Sequence, residues 1–211
     1  MTERLQDSGQ PFRPENGPLR LVLASGSVSR ARLLAAAGVD FLKAPADIDE
    51  AGLMPAEGDA AAAALALAGL KALSVSEHRP GAFVLGGDSI LEFEGMRIGK
   101  SPDVTAARAL LVRLSGRSHR IVSAAVLARD GRIVWRHVGE GRLTMRPLSG
   151  AFLDAYLAAE APAILASVGC YHLEGRGAQL FDRIEGDYFS ILGLPLLPVL
   201  AALREQGLLS S

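Results

Sequence analysis

Lys100 stands in the run Ile98-Gly99-Lys100-Ser101-Pro102, just ahead of an expected helix start, and follows the segment Gly86-Gly87-Asp88-Ser89. That pairing sets a carboxylate at the end of an apolar strand and a cation beside a helix N-terminus. Together with the turn Ser25-Gly26-Ser27-Val28-Ser29-Arg30, it reads as a site for a phosphorylated substrate held with a divalent metal ion. Helix N-termini carry unpaired N–H groups and partial positive charge, so phosphate oxygens belong there. Arg30 can add a two-pronged clamp, although Ser27 can equally be a plain helix cap and Arg30 a surface residue. Asp88 suits either Mg²⁺ binding or taking a proton from water, with Ser89 lining the same pocket; the plainer alternative is a turn aspartate. Asp47, Asp49 and Glu50 crowd like charges that a hard cation would relieve, but by spacing alone a solvated acidic turn is the better reading. Lys71 and Lys100 could each neutralise a polyphosphate as a point charge, and only Lys100 stands out unaided.

The elements that must position these residues follow from local pattern. Leu19 to Ala24 is an apolar strand; Ser27 then caps a helix through Leu33 and Leu34 that stops at Gly38. Val39 to Ile48 reads as extended. Pro55-Ala56-Glu57 opens an Ala/Leu helix to about Ser76 that presents Lys71, and Ala82 to Gly87 is a second strand, apolar without alternation as if covered on both faces. Leu91 to Ile98 is a hairpin turning at Glu94-Gly95. Ser101 caps a helix with Pro102 in its first position, closing at Leu114-Ser115-Gly116. His119 to Ala128 and Arg132 to Met145 are strands joined at Asp130-Gly131. Ser149 starts a further helix, a Gly-rich stretch with short strands runs from Ser167 to Phe181, and Pro195 to Gln206 makes a terminal helix stopped by Gly207. Helices between apolar strands, plus a long antiparallel pair, predict an α/β fold with a mixed twisted sheet flanked by helices.

Composition narrows the function classes. A chain of 211 residues buries enough surface to need no staple, and with 5% aromatic residues its core is carried by Ala and Leu. The single cysteine, Cys170, excludes an internal disulfide framework and suits a reducing compartment. A formal net charge of -1 argues against binding nucleic-acid polymers non-specifically. The alanine-rich run Ala60 to Val75 is too short and too interrupted to cross a membrane. The first 18 residues read as a flexible leader without a signal-peptide pattern, so the expected location is the cytoplasm. No dinucleotide fingerprint, P-loop, nucleophile elbow or zinc spacing is present. The four histidines are scattered, Trp135 reads as packing, and Cys170 lacks an activating base.

The same residues carry a strong resemblance to the Maf family of nucleoside triphosphate pyrophosphatases. The matching stretches are Leu23-Ala24-Ser25-Gly26-Ser27 with Arg30, Asp49-Glu50, Leu70-Lys71-Ala72, Gly86-Gly87-Asp88 and Gly99-Lys100. They continue through Leu114-Ser115-Gly116-Arg117-Ser118-His119, Gly169-Cys170-Tyr171 with Glu174-Gly175, Ile184-Glu185-Gly186-Asp187-Tyr188 and Leu192-Gly193-Leu194-Pro195. The resemblance implies an elongated two-lobed Maf-like architecture over residues 19–209, with a nucleotide cleft between the lobes, and a homodimer. It also implies cleavage of a nucleoside triphosphate between its α and β phosphates, with Mg²⁺ or Mn²⁺. By that resemblance Asp88 activates water, Glu50 holds the metal with Asp88 or assists the water, Arg30, Lys71 and Lys100 grip the triphosphate, and the Ser25 to Ser29 turn cradles it.

Departures from the family pattern are informative. Ser29 replaces one of two adjacent arginines, Arg32 reverses a glutamate, and Ser167 stands where a late lysine is usual. At three base-pocket positions Ser29, Ser89 and Glu174 all differ from the branch resembling dTTP/UTP pyrophosphatases, and Glu174 matches the branch handling 7-methyl-GTP. A carboxylate can accept hydrogen bonds from a guanine N1–H and amino group, so a modified or purine-like nucleotide is expected. A metal-dependent phosphatase and a non-catalytic nucleotide sensor remain the alternative readings.

Overall fold

The computed structural model describes residues 21–48 and 59–210. The expected leader, Asp49 and Glu50 lie outside the described residues. Leu21–Leu23 (β1) pairs in parallel with Leu42–Lys43 (β2) and with the first part of Phe83–Phe93 (β3). Between β1 and β2 runs helix Val28–Ala36 (α1), and Ala60–Ser76 (α2) leads into β3. Met96–Ile98 (β4) folds back on β3. Glu94 and Gly95 turn that hairpin at φ 53° and 77°, the left-handed geometry that two-residue hairpin loops require. After helix Val104–Leu114 (α3), Ser118–Arg129 (β5) runs antiparallel to nearly all of β3, and Arg132–Met145 (β6) pairs with β5. Helix Gly150–Glu160 (α4), edge strand Phe181–Gly186 (β7), the single turn Tyr188–Ile191 (α5) and helix Leu196–Glu205 (α6) complete the chain.

The result is a seven-stranded mixed sheet in the order β2-β1-β3-β5-β6-β7, with β4 added to β3. The α/β class is the expected one. Two cores divide the long strands. Phe83, Leu85 and Leu127 pack with Leu34 of α1 and Val199 and Leu203 of α6. Toward the other end of the same strands, Leu91, Phe93 and Ile121 pack with Leu111 and Leu114 of α3 and Leu153 of α4. On the remaining face, Ala64, Ala68 and Ala72 of α2 lie on Ala124, Val126 and Ala128 of β5. Small residues on both surfaces let helix and sheet backbones approach closely.

Four local expectations need correction. β3 does not end at Gly87; it continues to Phe93, because Gly86 and Gly87 provide clearance rather than a stop. A Cβ on Gly86 would overlap the Ala68 carbonyl of α2. Among described residues α2 begins at Ala60, capped by Asp59, whose side chain accepts from Ala61 N at 2.9 Å. The cap of α3 is Asp103, not Ser101: its carboxylate accepts from Ala106 N at 2.8 Å. The Gly-rich stretch forms two short 3-10 helices, Ala163–Ala166 and Arg176–Leu180, in place of short strands.

Candidate active site

Asp88 and Ser89 sit in the middle of β3, where one core gives way to the other, opposite Ala124 and Ser123 of β5. Neighbouring strand residues face opposite sides of a sheet, so Asp88 turns toward α2 and Ser89 toward α1. On the α2 side, Lys71 Nζ donates to Asp88 Oδ1 at 2.7 Å, with each residue 7% exposed. Removing two charges from water is costly unless each finds its counterpart. A pair so placed, mid-strand in an otherwise apolar segment, is an unusual expense for packing alone.

On the α1 side lies Arg30, 8% exposed. Its Nε donates to the Gly193 carbonyl at 2.8 Å, Nη1 to Ser25 Oγ at 3.0 Å and Nη2 to Ser89 Oγ at 2.8 Å. The guanidinium can lie across β3 because Gly87 has no side chain; a Cβ there would stand 3.0 Å from Arg30 Nε. Ser27 caps α1, accepting from Arg30 N at 3.3 Å, as its place before the helix predicts. Ser25 Oγ accepts from both Ser27 N, at 3.2 Å, and Arg30. A serine hydroxyl has two acceptor lone pairs and one proton, so with both lone pairs engaged Ser25 has only its proton left to bond. That polarity suits an anion held in the Ser25 to Ser29 turn.

The remaining candidates are less closely joined. Lys100 is exposed in the link between β4 and α3. The hairpin pairing ends at Leu91 and Ile98, so Lys100 follows β4 by two residues, and among the described residues no hydrogen bond or ion pair joins it to Asp88. Ser29 is half-buried in the first turn of α1, and Arg32 is exposed. Glu174 is exposed in the turn ahead of the second 3-10 helix, and among the described residues no hydrogen bond joins it to Ser29 or Ser89. Ser167 donates to the Tyr171 carbonyl at 2.9 Å, a local loop bond. Among the described residues no group of three or more His, Cys, Asp or Glu side chains could hold a metal ion.

Three participants escaped the sequence reading: Ser123, Ser190 and Gly193. Ser123 is fully buried, bonded to Ser89 Oγ at 2.8 Å and to the Ser190 carbonyl at 2.6 Å. The one available signal was a lone hydroxyl in the apolar run Ile121 to Ala128. Of the four histidines expected as surface or strand residues, His119 is a strand residue but a buried one. His119 lies in a closed aromatic box, its Nε2 at 2.7 Å from the Tyr171 hydroxyl and Phe181 alongside. Burial lowers its pKa to about 4. Cys170, next to Tyr171 in sequence, is also buried, its thiol donating to Ser101 Oγ at 3.1 Å, and burial pushes that thiol's pKa upward, away from nucleophilic character.

With this geometry in view, residues 20–206 match the sequence pattern of the Maf-like proteins. The chain belongs to the Maf-like protein family. A 7-methyl-GTP pyrophosphatase of Mesorhizobium japonicum is 50% identical over 192 residues, 89% of this chain and 96% of that protein. A nucleoside triphosphate pyrophosphatase of Granulibacter bethesdensis is 49% identical over 196 residues, 91% of this chain and all 100% of its own length. One of the same name from Caulobacter vibrioides is 46% identical over 194 residues, 90% and 97% of the two chains. A crystal structure of a nucleoside-triphosphatase (dITP/XTP pyrophosphatase) from Mycobacterium abscessus aligns at TM-score 0.36 and 20% identity over 59% of this chain and 72% of that one, too distant to carry an argument. Among the described residues of this Maf-like chain, no helix is long and apolar enough to cross a membrane.

Proposed function

We propose that this Maf-like protein is a nucleoside triphosphate pyrophosphatase, hydrolysing the bond between the α and β phosphates to give a nucleoside monophosphate and pyrophosphate. The observation that carries the reading is the Lys71–Asp88 pair at 2.7 Å, buried in the middle of β3, the strand whose next residue, Ser89, is bonded to Arg30. The names borne by relatives about half identical over nearly the whole chain support the same reaction class.

Lys71 occupies Asp88 Oδ1 and fixes the carboxylate's orientation, leaving Oδ2 to take a proton from water. The water oxygen bonds to the α phosphorus, the bridging α–β P–O bond breaks, and pyrophosphate departs with the electron pair. Negative charge grows on the phosphoryl oxygens and the leaving group. Ser25 O–H and the N–H groups opening α1 face the former, and the Lys100 ammonium offsets the latter. Arg30 holds the turn from behind and adds its charge there.

By the family resemblance, Asp88 and Glu50, the latter outside the described residues, would hold a divalent metal through carboxylate oxygens, and triphosphate oxygens complete such a sphere in Mg²⁺ sites generally. When bound, Mg²⁺ or Mn²⁺ would supply charge neutralisation at the phosphates. For base choice, Glu174 suits a guanine edge, and its carboxylate suits the added positive charge of a 7-methylated ring. A modified or purine-like nucleotide is therefore the proposed substrate, and a homodimer in the cytoplasm the proposed setting.

The test is a panel of ordinary and 7-methylated triphosphates with Mg²⁺ or Mn²⁺, scored for both products. Equal amounts of monophosphate and pyrophosphate are expected. Orthophosphate as the sole inorganic product would overturn the reading in favour of a phosphatase, and tight binding without turnover in favour of a sensor.

A further inference from the structure

The hydroxyl groups behind the phosphate turn form a chain whose direction is fixed by proton accounting. Ser123 Oγ lies 2.6 Å from the Ser190 carbonyl. A carbonyl cannot donate, so Ser123 commits its only proton there. The 2.8 Å contact between Ser89 and Ser123 then has one possible donor, Ser89. Ser89 in turn receives Arg30 Nη2–H at 2.8 Å. The order is therefore Arg30 to Ser89 to Ser123 to the Ser190 carbonyl. At its other end the same guanidinium fills a lone pair of Ser25 and leaves that hydroxyl only its proton to bond.

We propose that Ser123 is a positioning residue for substrate binding, acting on the phosphate turn through Ser89 and Arg30. The inference rests on the reading that this turn holds the triphosphate. Ser89 has a second acceptor within reach, the Gly193 carbonyl at 3.3 Å, which already receives Arg30 Nε–H at 2.8 Å. Ser123 decides between them, since its oxygen draws the Ser89 proton away from Gly193. The acceptor at the far end is itself fixed: Ser190 N and Oγ both bond to the Asp187 carboxylate, and Ile191 is anchored in one core while Leu194 lies in the other. The segment joining the two cores thus supplies the carbonyls on which Arg30 and Ser123 rest. A hydroxyl fully buried among Val122, Ala124 and Ala125 is costly unless bonded, and here both of its bonds belong to this chain. Ser89, considered from sequence as a base-pocket position, has its proton and an acceptor site committed to this task.

The experiment measures steady-state kinetics on the most rapidly cleaved triphosphate of the panel, and calorimetric affinity for its α,β-methylene analogue (that of GTP if none is cleaved). Ser123→Ala is expected to raise KM and the analogue's Kd about five- to ten-fold, the scale of one net hydrogen bond, with kcat within about two-fold and base preference unchanged. Ser89→Ala should do the same. The decisive reading is the double variant: because Ser123 acts through Ser89, Ser89→Ala/Ser123→Ala should match Ser89→Ala alone. Ser123→Thr, which keeps the hydroxyl, should restore KM. An unchanged KM in Ser123→Ala, or effects that multiply in the double variant, would overturn the proposal. Should Ser123→Ala fail to fold, Ser123→Cys, with a weaker donor of similar shape, is read in the same way. A wild-type chain that binds the analogue without cleaving triphosphate would overturn the enzymatic reading while the positioning role is still read in Kd; one that neither binds nor cleaves would overturn both.

Discussion

The strands β3 and β5 carry two buried polar clusters that solve burial in opposite ways. At mid-strand, Asp88 and Lys71 are both charged, and they are tolerated because they meet at 2.7 Å. At the start of β5, His119 is enclosed by Tyr171 and Phe181, and burial alone drives its pKa down to about 4, so it is neutral in the folded chain near pH 7. Among the described residues its buried Nδ1 has no hydrogen-bond partner. The first cluster satisfies burial by pairing opposite charges; the second gives up charge for packing. Buried titratable residues on the same strand pair therefore divide by environment into an ion-paired set, the proposed reactive one, and a neutral packed one.

That division predicts opposite responses to substitution. The largest effect is expected for Asp88→Asn, which keeps shape and an acceptor for Lys71 but cannot take a proton: kcat should fall about 10²- to 10⁴-fold, measured as pyrophosphate release on protein shown to be folded by circular dichroism. An unchanged kcat would dissolve the contrast. His119→Gln should leave turnover at pH 8 within about two-fold and instead alter stability against pH. The unfolded chain takes up the histidine proton below its ordinary value of 6.5, the folded chain only near 4. Acidification through that window therefore favours unfolding, by up to about 3 kcal/mol from this group. Denaturant titrations between pH 7 and pH 4 should show that loss in the wild type and lack it in His119→Gln. The smallest effect belongs to Glu174→Gln, outside both clusters: the preference for a 7-methylated over an unmethylated triphosphate should fall a few-fold, about 1 kcal/mol, with phosphate binding unaltered. A preference ratio equal to the wild type's would remove Glu174 from the base pocket.

Much of this fold is legible in the sequence because local chemistry states it. Asp130-Gly131 and Glu94-Gly95 announce their hairpins, and both pairs adopt the positive φ angles that such turns need. Ser27 and Ser149 announce helix starts, and each accepts from the N–H three residues on. The misses share one cause, a local signal whose meaning is settled at long range. Gly86 and Gly87 read as a strand end, yet they exist for α2 and Arg30, which arrive from elsewhere in the chain. Ser101 reads as a cap, but Asp103 takes that place while Ser101 serves Cys170, far along the sequence. β7 was hidden because an exposed edge strand shows little apolar signal.

The site was legible in part. Asp88 and the serine turn were singled out from the residues and Lys71 from the family resemblance; the structure pairs Asp88 with Lys71 and joins Ser25 to Arg30, and their roles in catalysis belong to the proposed mechanism. What no spacing could reveal was the partition across the sheet: Lys71 and Asp88 on one side, Arg30, Ser89 and Ser123 on the other. Nor could it reveal that Arg30 bonds to Gly193, Ser25 and Ser89 inside the protein. Those facts depend on strand pairing between residues 34 positions apart, as for Ser89 and Ser123.

The central claim is that water attacks the α phosphorus and pyrophosphate leaves. Hydrolysis in ¹⁸O-labelled water, followed by mass spectrometry of both products after a single turnover, tests it most directly. The label should appear in the nucleoside monophosphate and be absent from pyrophosphate; label in the pyrophosphate would place the attack on the β phosphorus and contradict the account.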